Sequence, residues 1–326
     1  MKQAIYLRRV KRAGRTVDIE YTYPTQFGDG LTRRRASGKG TPLAMENYNR
    51  EISIRRLGLL LNENFKPGDI WLTLHYERER RPKTVEEADR LFHKFFLKLK
   101  REFLKRNIEF KWVKPVTAVG ERGAVHHHIL IPQGVPQAAI TDLWRTVTKS
   151  GCKVRPPDYT VLYETGEYSS LAAYIVRHYE KRNEECDKET PFYHPESNVA
   201  PKNVKNIKRW SCSRNLRKPI EESPKIVKDI KWQEPPVPWT GYYIETDSIR
   251  AGTNPVSGRP YLYYRQVKMP PIFVCYDDSG RKLSGEKAVK WYRQKNKKYL
   301  KEHWIDLAPE GEVIFKKELI GVKKNE

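Results

Sequence analysis

The stretch that most constrains this chain is an apolar run with three consecutive histidines, Val125 to Ile131. Its apolar, partly β-branched residues and the turn residues after it predict a buried strand. Side chains alternate between the faces of a strand, so His126 and His128 share one face and His127 lies on the other. Two imidazoles about 6.6 Å apart along a strand can hold a divalent metal ion. The alternatives are a strand with hydrogen-bonded histidines and a histidine-rich sheet edge.

The charge of the chain indicates a polyanionic partner. The 326 residues include 63 Lys and Arg against 40 Asp and Glu, which gives a formal net charge of +23. Nucleic acid is the first candidate for such a partner, although a solvated basic surface has the same composition. The many aromatic residues are enough for both a core and base-stacking surfaces.

Cysteine usage and apolar runs bear on location. The four cysteines form no C-x-x-C pair, which disfavours a zinc ribbon or a disulfide framework and favours a reducing cytoplasm. The first residues lack the apolar segment of a signal peptide. No apolar run approaches the roughly 20 residues that span a bilayer. We therefore expect a cytoplasmic protein with no membrane partner.

The order of the predicted elements indicates an α+β fold. The pattern predicts, in order, a strand over 70–76, a helix after the capping residue Thr84, strands over 110–119 and 125–131, a helix from Pro136, a strand near 160–163 and a helix over 171–179. This order is typical of an antiparallel sheet with helices on one face, as in RRM-like and ferredoxin-like sandwiches. The opposite face of the sheet would be free to hold a site.

Composition divides the chain into three predicted parts. Residues 1–48 are polar and basic and predict a flexible or partly ordered N-terminal arm. Residues 49–219 form the core domain, with a charged, proline-containing insertion loop at about 183–204. Residues 220–326 form a smaller, β-rich C-terminal extension with a basic helix at about 286–301.

Three segments together resemble the HUH endonucleases that initiate rolling-circle replication. The strand Ile70 to Tyr76 is similar to the family's first motif, Gly123 to His128 to its His-hydrophobic-His motif, and Tyr174 to Arg177 to its Tyr-x-x-Lys helix. The likeness extends over roughly residues 50 to 265, and it is greatest to initiators of phages, plasmids and integrative elements of Gram-positive bacteria. Two further segments, 208–219 and 254–261, also resemble that group.

The resemblance implies an HUH fold and a metal-dependent, site-specific DNA nickase in the cytoplasm of a bacterial host cell. His126 and His128 would bind Mn²⁺ or Mg²⁺, and imidazole suits Mn²⁺ better. Tyr174 would attack single-stranded DNA at a replication origin, leaving a 5′-phosphotyrosine and a free 3′-OH for the host replication machinery. Arg177, one helical turn later on the same face, would contact the phosphate.

The chain departs from the family pattern at several positions. His127 replaces a hydrophobic residue, and we expect it to pack on the helix-covered face. Arg177 replaces a lysine, and His75 replaces a threonine and is a possible further ligand. Glu121 is the nearest acidic residue, but it falls in the predicted turn. Tyr179, five residues after Tyr174, is a weaker candidate for a second nucleophile.

Other interpretations stay open at the level of sequence. Without the histidines, Tyr174 would more often be a core residue of an amphipathic helix. A non-catalytic nucleic-acid-binding protein, a relaxase or transposase of a mobile element, and a metal-dependent oxygenase are the alternative functions. In each nucleic-acid interpretation, Lys208, Arg209 and Arg214 are predicted to contact DNA phosphates.

Overall fold

The structure is a computed structural model that divides the chain into two compact units. It describes residues 6–23, 43–119, 125–149, 158–162, 167–184, 209–228, 230, 234–253, 260–270 and 274–304. One unit combines Met1–Arg34 with Lys218–Glu326, and the other is Arg35–Arg217. The predicted α+β class with antiparallel sheets is confirmed.

Five α-helices and fourteen strands make up the described part of the chain. In chain order they are β1 (Tyr6–Ala13), β2 (Thr16–Thr22), α1 (Leu43–Asn64), β3 (Ile70–His75), α2 (Val85–Lys105), β4 (Val113–Pro115), β5 (Ala118–Val119), β6 (Val125–Ile131), α3 (Gln137–Thr148), β7 (Asp158–Val161), α4 (Ser169–Glu184), β8 (Trp210–Cys212), β9 (Ile220–Glu221), β10 (Lys225–Val227), β11 (Tyr242–Thr253), β12 (Pro260–Lys268), β13 (Val274–Tyr276), β14 (Lys282–Ser284) and α5 (Gly285–Glu302). No described helix is both long and apolar enough to cross a membrane.

The prediction of a basic arm over residues 1–48 was wrong for residues 6–22. They form the hairpin β1–β2, whose second strand pairs with β12. The inward residues of the hairpin, among them Val10 and Ile19, join a core with Leu262 and Leu300. Arg8 and Arg12 share the face of β1 that carries Tyr6 and Val10, which breaks the apolar alternation in the sequence. The strand that pairs with β2, β12, lies some 240 residues further along the chain. Helix α1 begins at Leu43, also within the predicted arm.

The unit Arg35–Arg217 is built on an antiparallel sheet with the strand order β7-β3-β6-β4-β8 and β5 beside β6. One face is covered by α2 and α3. Leu72, Leu74 and Ile129 of the sheet pack there against Phe95 of α2 and Trp144 of α3. Every one of these side chains is at least 98% buried, so this layer is the main hydrophobic core.

The prediction that helices cover only one face of this sheet is corrected, because helices α1 and α4 cover the opposite face as well. Trp71, Val113 and Leu130 point to that side and pack against α1 and α4 in a second buried cluster. Apolar side chains on both faces of the central strands require a cover on both faces. Leu57 of α1 and Ile175 of α4 supply it. The candidate site therefore lies on a covered sheet face, beside α4.

Helix ends follow the local sequence. Thr84 caps α2, and its hydroxyl accepts a hydrogen bond from the Glu87 amide at 3.2 Å. The Glu87 carboxylate accepts from the amide of Lys83 rather than from that of the cap residue. Helix α3 starts after Pro136 as predicted, but it ends at Lys149 in the left-handed conformation, before the expected Gly151. Helix α4 begins at Ser169 and presents Tyr174 in its second turn.

Candidate active site

Strands β3 and β6 bring the candidate ligands together. Their antiparallel register pairs Thr73 with His128 and His75 with His126. Paired residues of neighbouring strands lie on the same face, so three imidazoles and one hydroxyl share the face that α4 covers. The centroid of the His126 ring lies 4.8 Å from that of His128 and 6.1 Å from that of His75.

His128 is held on both ring nitrogens. Its Nδ1 lies 2.9 Å from the hydroxyl of Thr73, and its Nε2 lies 3.2 Å from the phenol oxygen of Tyr174. When Nδ1 donates its proton to Thr73, Nε2 carries a lone pair that faces the phenol. A hydrogen bond at the remote nitrogen orients the imidazole and fixes which nitrogen can bind a proton or a metal.

Trp71 completes the surroundings of His128, and we did not select it from the sequence. Its ring stacks on the imidazole with centroids 5.1 Å apart and an angle of 14° between the planes. Its ring also meets Tyr174 edge to face at 6.0 Å. Trp71 lies two residues before Thr73 on the same face of β3, so strand alternation was the signal that could have found it.

Tyr174 reaches the site from α4 and remains accessible. Its side chain is 40% exposed, whereas His128 is 7% exposed. Partial burial raises the pKa of the Tyr174 phenol above its ordinary value, because a phenolate loses hydration there. The phenol is therefore protonated at neutral pH and would have to lose its proton to act as a nucleophile.

His127 lies on the opposite face and packs against α2, as predicted. Its Nε2 lies 2.9 Å from the hydroxyl of Tyr76, and its ring lies 4.8 Å from that of Phe92. Burial lowers the pKa of His127 well below its usual range, and electrostatic interactions with Lys114 and His126 act in the same direction. His127 is thus a neutral core residue.

Arg177 faces α1 rather than the histidines. Its guanidinium lies 3.8 Å from the carboxylate of Glu51, and the side chain is 57% exposed. An exposed pair of this kind contributes little stability, so a phosphate can compete for the guanidinium. Tyr179 belongs to α4, but its side chain lies outside the described residues.

The donor set partly fits a divalent metal ion. His126 and His128 share one side, and His75 lies opposite His126 in the register. Within the described ranges, no group of three His, Cys, Asp or Glu side chains is close enough together to hold a metal. Glu121 lies outside those ranges.

Two of the three predicted DNA contacts, Arg209 and Arg214, lie away from the histidines. Arg209 precedes β8, and its carbonyl accepts a hydrogen bond from the Val116 amide at 3.1 Å. Arg214 follows β8 and is exposed. Because β4 separates β8 from β6, neither residue adjoins His128. Lys208 lies outside the described residues, as do most of the predicted insertion loop and residues 254–259.

Comparisons of the chain with protein-family models, curated proteins and solved structures give no match. The functional argument therefore depends on the residues and their geometry.

Proposed function

We propose that this protein nicks single-stranded DNA with Tyr174 as the nucleophile, as an HUH-type initiator of rolling-circle replication. The observation that carries the proposal is the contact between the Tyr174 phenol and Nε2 of His128, 3.2 Å apart. This contact joins the helix and strand motifs of the sequence resemblance, although they lie 46 residues apart. A replication origin, host replication proteins and a cytoplasmic setting are part of the same proposal.

The reaction exchanges one phosphoester for another. The Tyr174 oxygen forms a bond to phosphorus, the bond from phosphorus to the 3′ oxygen breaks, the phenol loses its proton and the 3′ oxygen gains one. The products are a 5′-phosphotyrosine and a free 3′-OH. Arg177 can leave Glu51 to contact the phosphate, since both side chains are partly exposed.

His126 and His128, with His75 beside them, are the residues that would hold Mn²⁺ or Mg²⁺. A bound divalent ion supplies Lewis-acid polarisation of the phosphate. Nε2 of His128 has a single lone pair, so a metal ion held there would take the place of the Tyr174 phenol. Thr73 and Trp71 keep the imidazole in place throughout, because they contact Nδ1 and the ring face rather than Nε2.

Helices α1 and α4 cover this face of the sheet, which disfavours the alternative of a non-catalytic nucleic-acid-binding protein. RNA-recognition-like modules stack bases on aromatic side chains of an open sheet. Here Trp71 is 7% exposed and Leu130 is fully buried under α1 and α4. Little of this face is open for bases to stack on.

The test is a denaturing gel of 5′-labelled and 3′-labelled single-stranded DNA incubated with the protein and Mn²⁺. We expect cleavage with the protein attached to the 5′ end of the downstream product, and peptide mass spectrometry should locate the link at Tyr174. Tyr174→Phe should abolish the adduct, whereas Tyr179→Phe should keep most of the first cleavage. An adduct at Tyr179, or cleavage without an adduct, would overturn the assignment.

A further inference from the structure

Helix α5 belongs to the unit formed by Met1–Arg34 and Lys218–Glu326. It carries a row of lysines that the proposed nicking reaction does not use. Their spacing is i, i+3, i+10 and i+14, with a glutamine at i+7. The row consists of Lys287, Lys290, Gln294, Lys297 and Lys301, all of them exposed. At about 100° per residue these five positions fall within an arc of about 80° on the helix.

The opposite side of α5 is fixed to its own unit. Ala288 and Leu300 are buried, and the side-chain amide of Asn296 both donates to and accepts from the backbone of Ile244 in β11, at 3.1 and 3.0 Å. The Tyr292 ring meets that of Tyr243 at 5.5 Å. The lysine row is therefore the outward face of an anchored helix.

Three acidic groups near α5 are paired with cations outside the row, and Glu286 in the first turn of the helix is exposed one turn before Lys290. Glu302 pairs with Lys298 at 3.8 Å, and Asp278 pairs with Lys295. Asp277 pairs with Arg281 at 3.1 Å in the β13–β14 hairpin. In the described part of the chain, no ion pair joins a row lysine to a carboxylate. Like charges three or four residues apart destabilise a helix, so this face favours an anionic partner.

We propose that the lysine row of α5 binds the phosphate backbone of duplex DNA. The row is about 21 Å long at ~1.5 Å per residue, which matches about six base pairs at ~3.4 Å each. Lysines act as point charges and lack the fork that reads guanine, so the contact is independent of base sequence. The arc contains no aromatic residue, whereas single-strand surfaces combine cations with stacking platforms.

The experiment measures binding of the full chain to a fluorescein-labelled duplex of unrelated sequence at several salt concentrations. Each lost phosphate contact lowers the slope of log Kobs against log salt by about 0.9. Replacing all four lysines by glutamine should therefore reduce the magnitude of the slope by about three to four. The pairs Lys287→Gln with Lys290→Gln and Lys297→Gln with Lys301→Gln should each remove about half, which keeps the test valid if the quadruple variant fails to fold.

A matched control removes four exposed cations from α2 in the other unit, namely Lys94, Lys98, Lys100 and Arg101. The charge change is the same, so an equal loss of slope in this control would overturn the proposal. Two further results with the quadruple lysine variant would also overturn the proposal. The first is a reduced salt slope for a single-stranded oligonucleotide but not for the duplex. The second is an unchanged salt slope for the duplex together with lost binding to phosphatidylserine vesicles. The readout is equilibrium binding without cleavage, so it does not depend on Tyr174 being the nucleophile.

Discussion

The phenol oxygen of Tyr174 lies 3.2 Å from Nε2 of His128, the nitrogen that the strand geometry turns toward α4. The same imidazole is held through Nδ1 by Thr73 and across its face by Trp71. If His128 binds a metal ion through Nε2, that ion and the phenol of Tyr174, the proposed nucleophile, would compete for one nitrogen. Metal binding at His128 and release of the phenol would then be coupled, because a single lone pair serves one of them at a time.

Tyr174→Phe should tighten Mn²⁺ binding while it abolishes the covalent adduct. The variant removes a hydrogen bond worth about 0.5–1.5 kcal/mol that metal binding must break, so the dissociation constant should fall by up to about tenfold. Titration calorimetry with Mn²⁺ measures the change, and Tyr179→Phe is the control on the same helix. Weaker Mn²⁺ binding in Tyr174→Phe would mean that the phenol assists the metal rather than competing with it.

The three adjacent histidines should separate into two classes. His126→Ala and His128→Ala should abolish cleavage and weaken Mn²⁺ binding, with little effect on DNA binding. His127→Ala should keep Mn²⁺ binding but lower the free energy of unfolding by about 2–4 kcal/mol, because it leaves a cavity beside Phe92 and removes a partner of Tyr76. Chemical denaturation and Mn²⁺ titration of the three variants measure both effects. Loss of metal binding in His127→Ala alone would contradict the assignment of faces.

Thr73 should act through His128. Thr73→Val removes the contact to Nδ1 with little change in volume, and the loss of such a supporting hydrogen bond typically costs 10–100-fold in metal affinity or activity. Thr73→Ser keeps the hydroxyl and should restore most of the Mn²⁺ affinity. If Thr73→Val and Thr73→Ser bind Mn²⁺ with the same affinity, then the Thr73 hydroxyl does not position His128.

The strand that carries the histidines could be predicted residue for residue, and the reason is local. Val125 to Ile131 contains its own apolar pattern, and alternation alone assigns His126 and His128 to one face. The same reasoning placed His127 in the core, where Tyr76 and Phe92 surround it.

Features that depend on distant partners could not be predicted in the same way. In β1 arginines alternate with the inward residues Tyr6 and Val10 on the same face. The core contacts of the β1–β2 hairpin come from β12 and α5 at the other end of the chain. The packing of α1 over Trp71 could not be predicted, because the sequence around Trp71 is equally compatible with a partly exposed strand residue. The ion pair of Arg177 with Glu51 joins two helices through residues that are 126 positions apart in sequence, and helical spacing alone gives no sign of it.

Tyr76 should make the fold sensitive to alkaline pH. Burial raises the pKa of Tyr76 far above its ordinary value, and the carboxylates of Asp89 and Glu87 add to the effect. The folded state therefore keeps the phenol protonated, while the unfolded chain releases that proton above a pH of about 10. The contribution of the protonated Tyr76 phenol to the free energy of unfolding is fully present below pH 10. It is lost as pH rises from 10 toward the folded pKa, by up to about 1.4 kcal/mol per pH unit.

Tyr76→Phe removes this dependence, so its free energy of unfolding should fall less steeply than that of the original protein between pH 9.5 and 11. Urea denaturation across that range measures both slopes, and parallel slopes would show that the phenol ionises equally in the folded and unfolded chains.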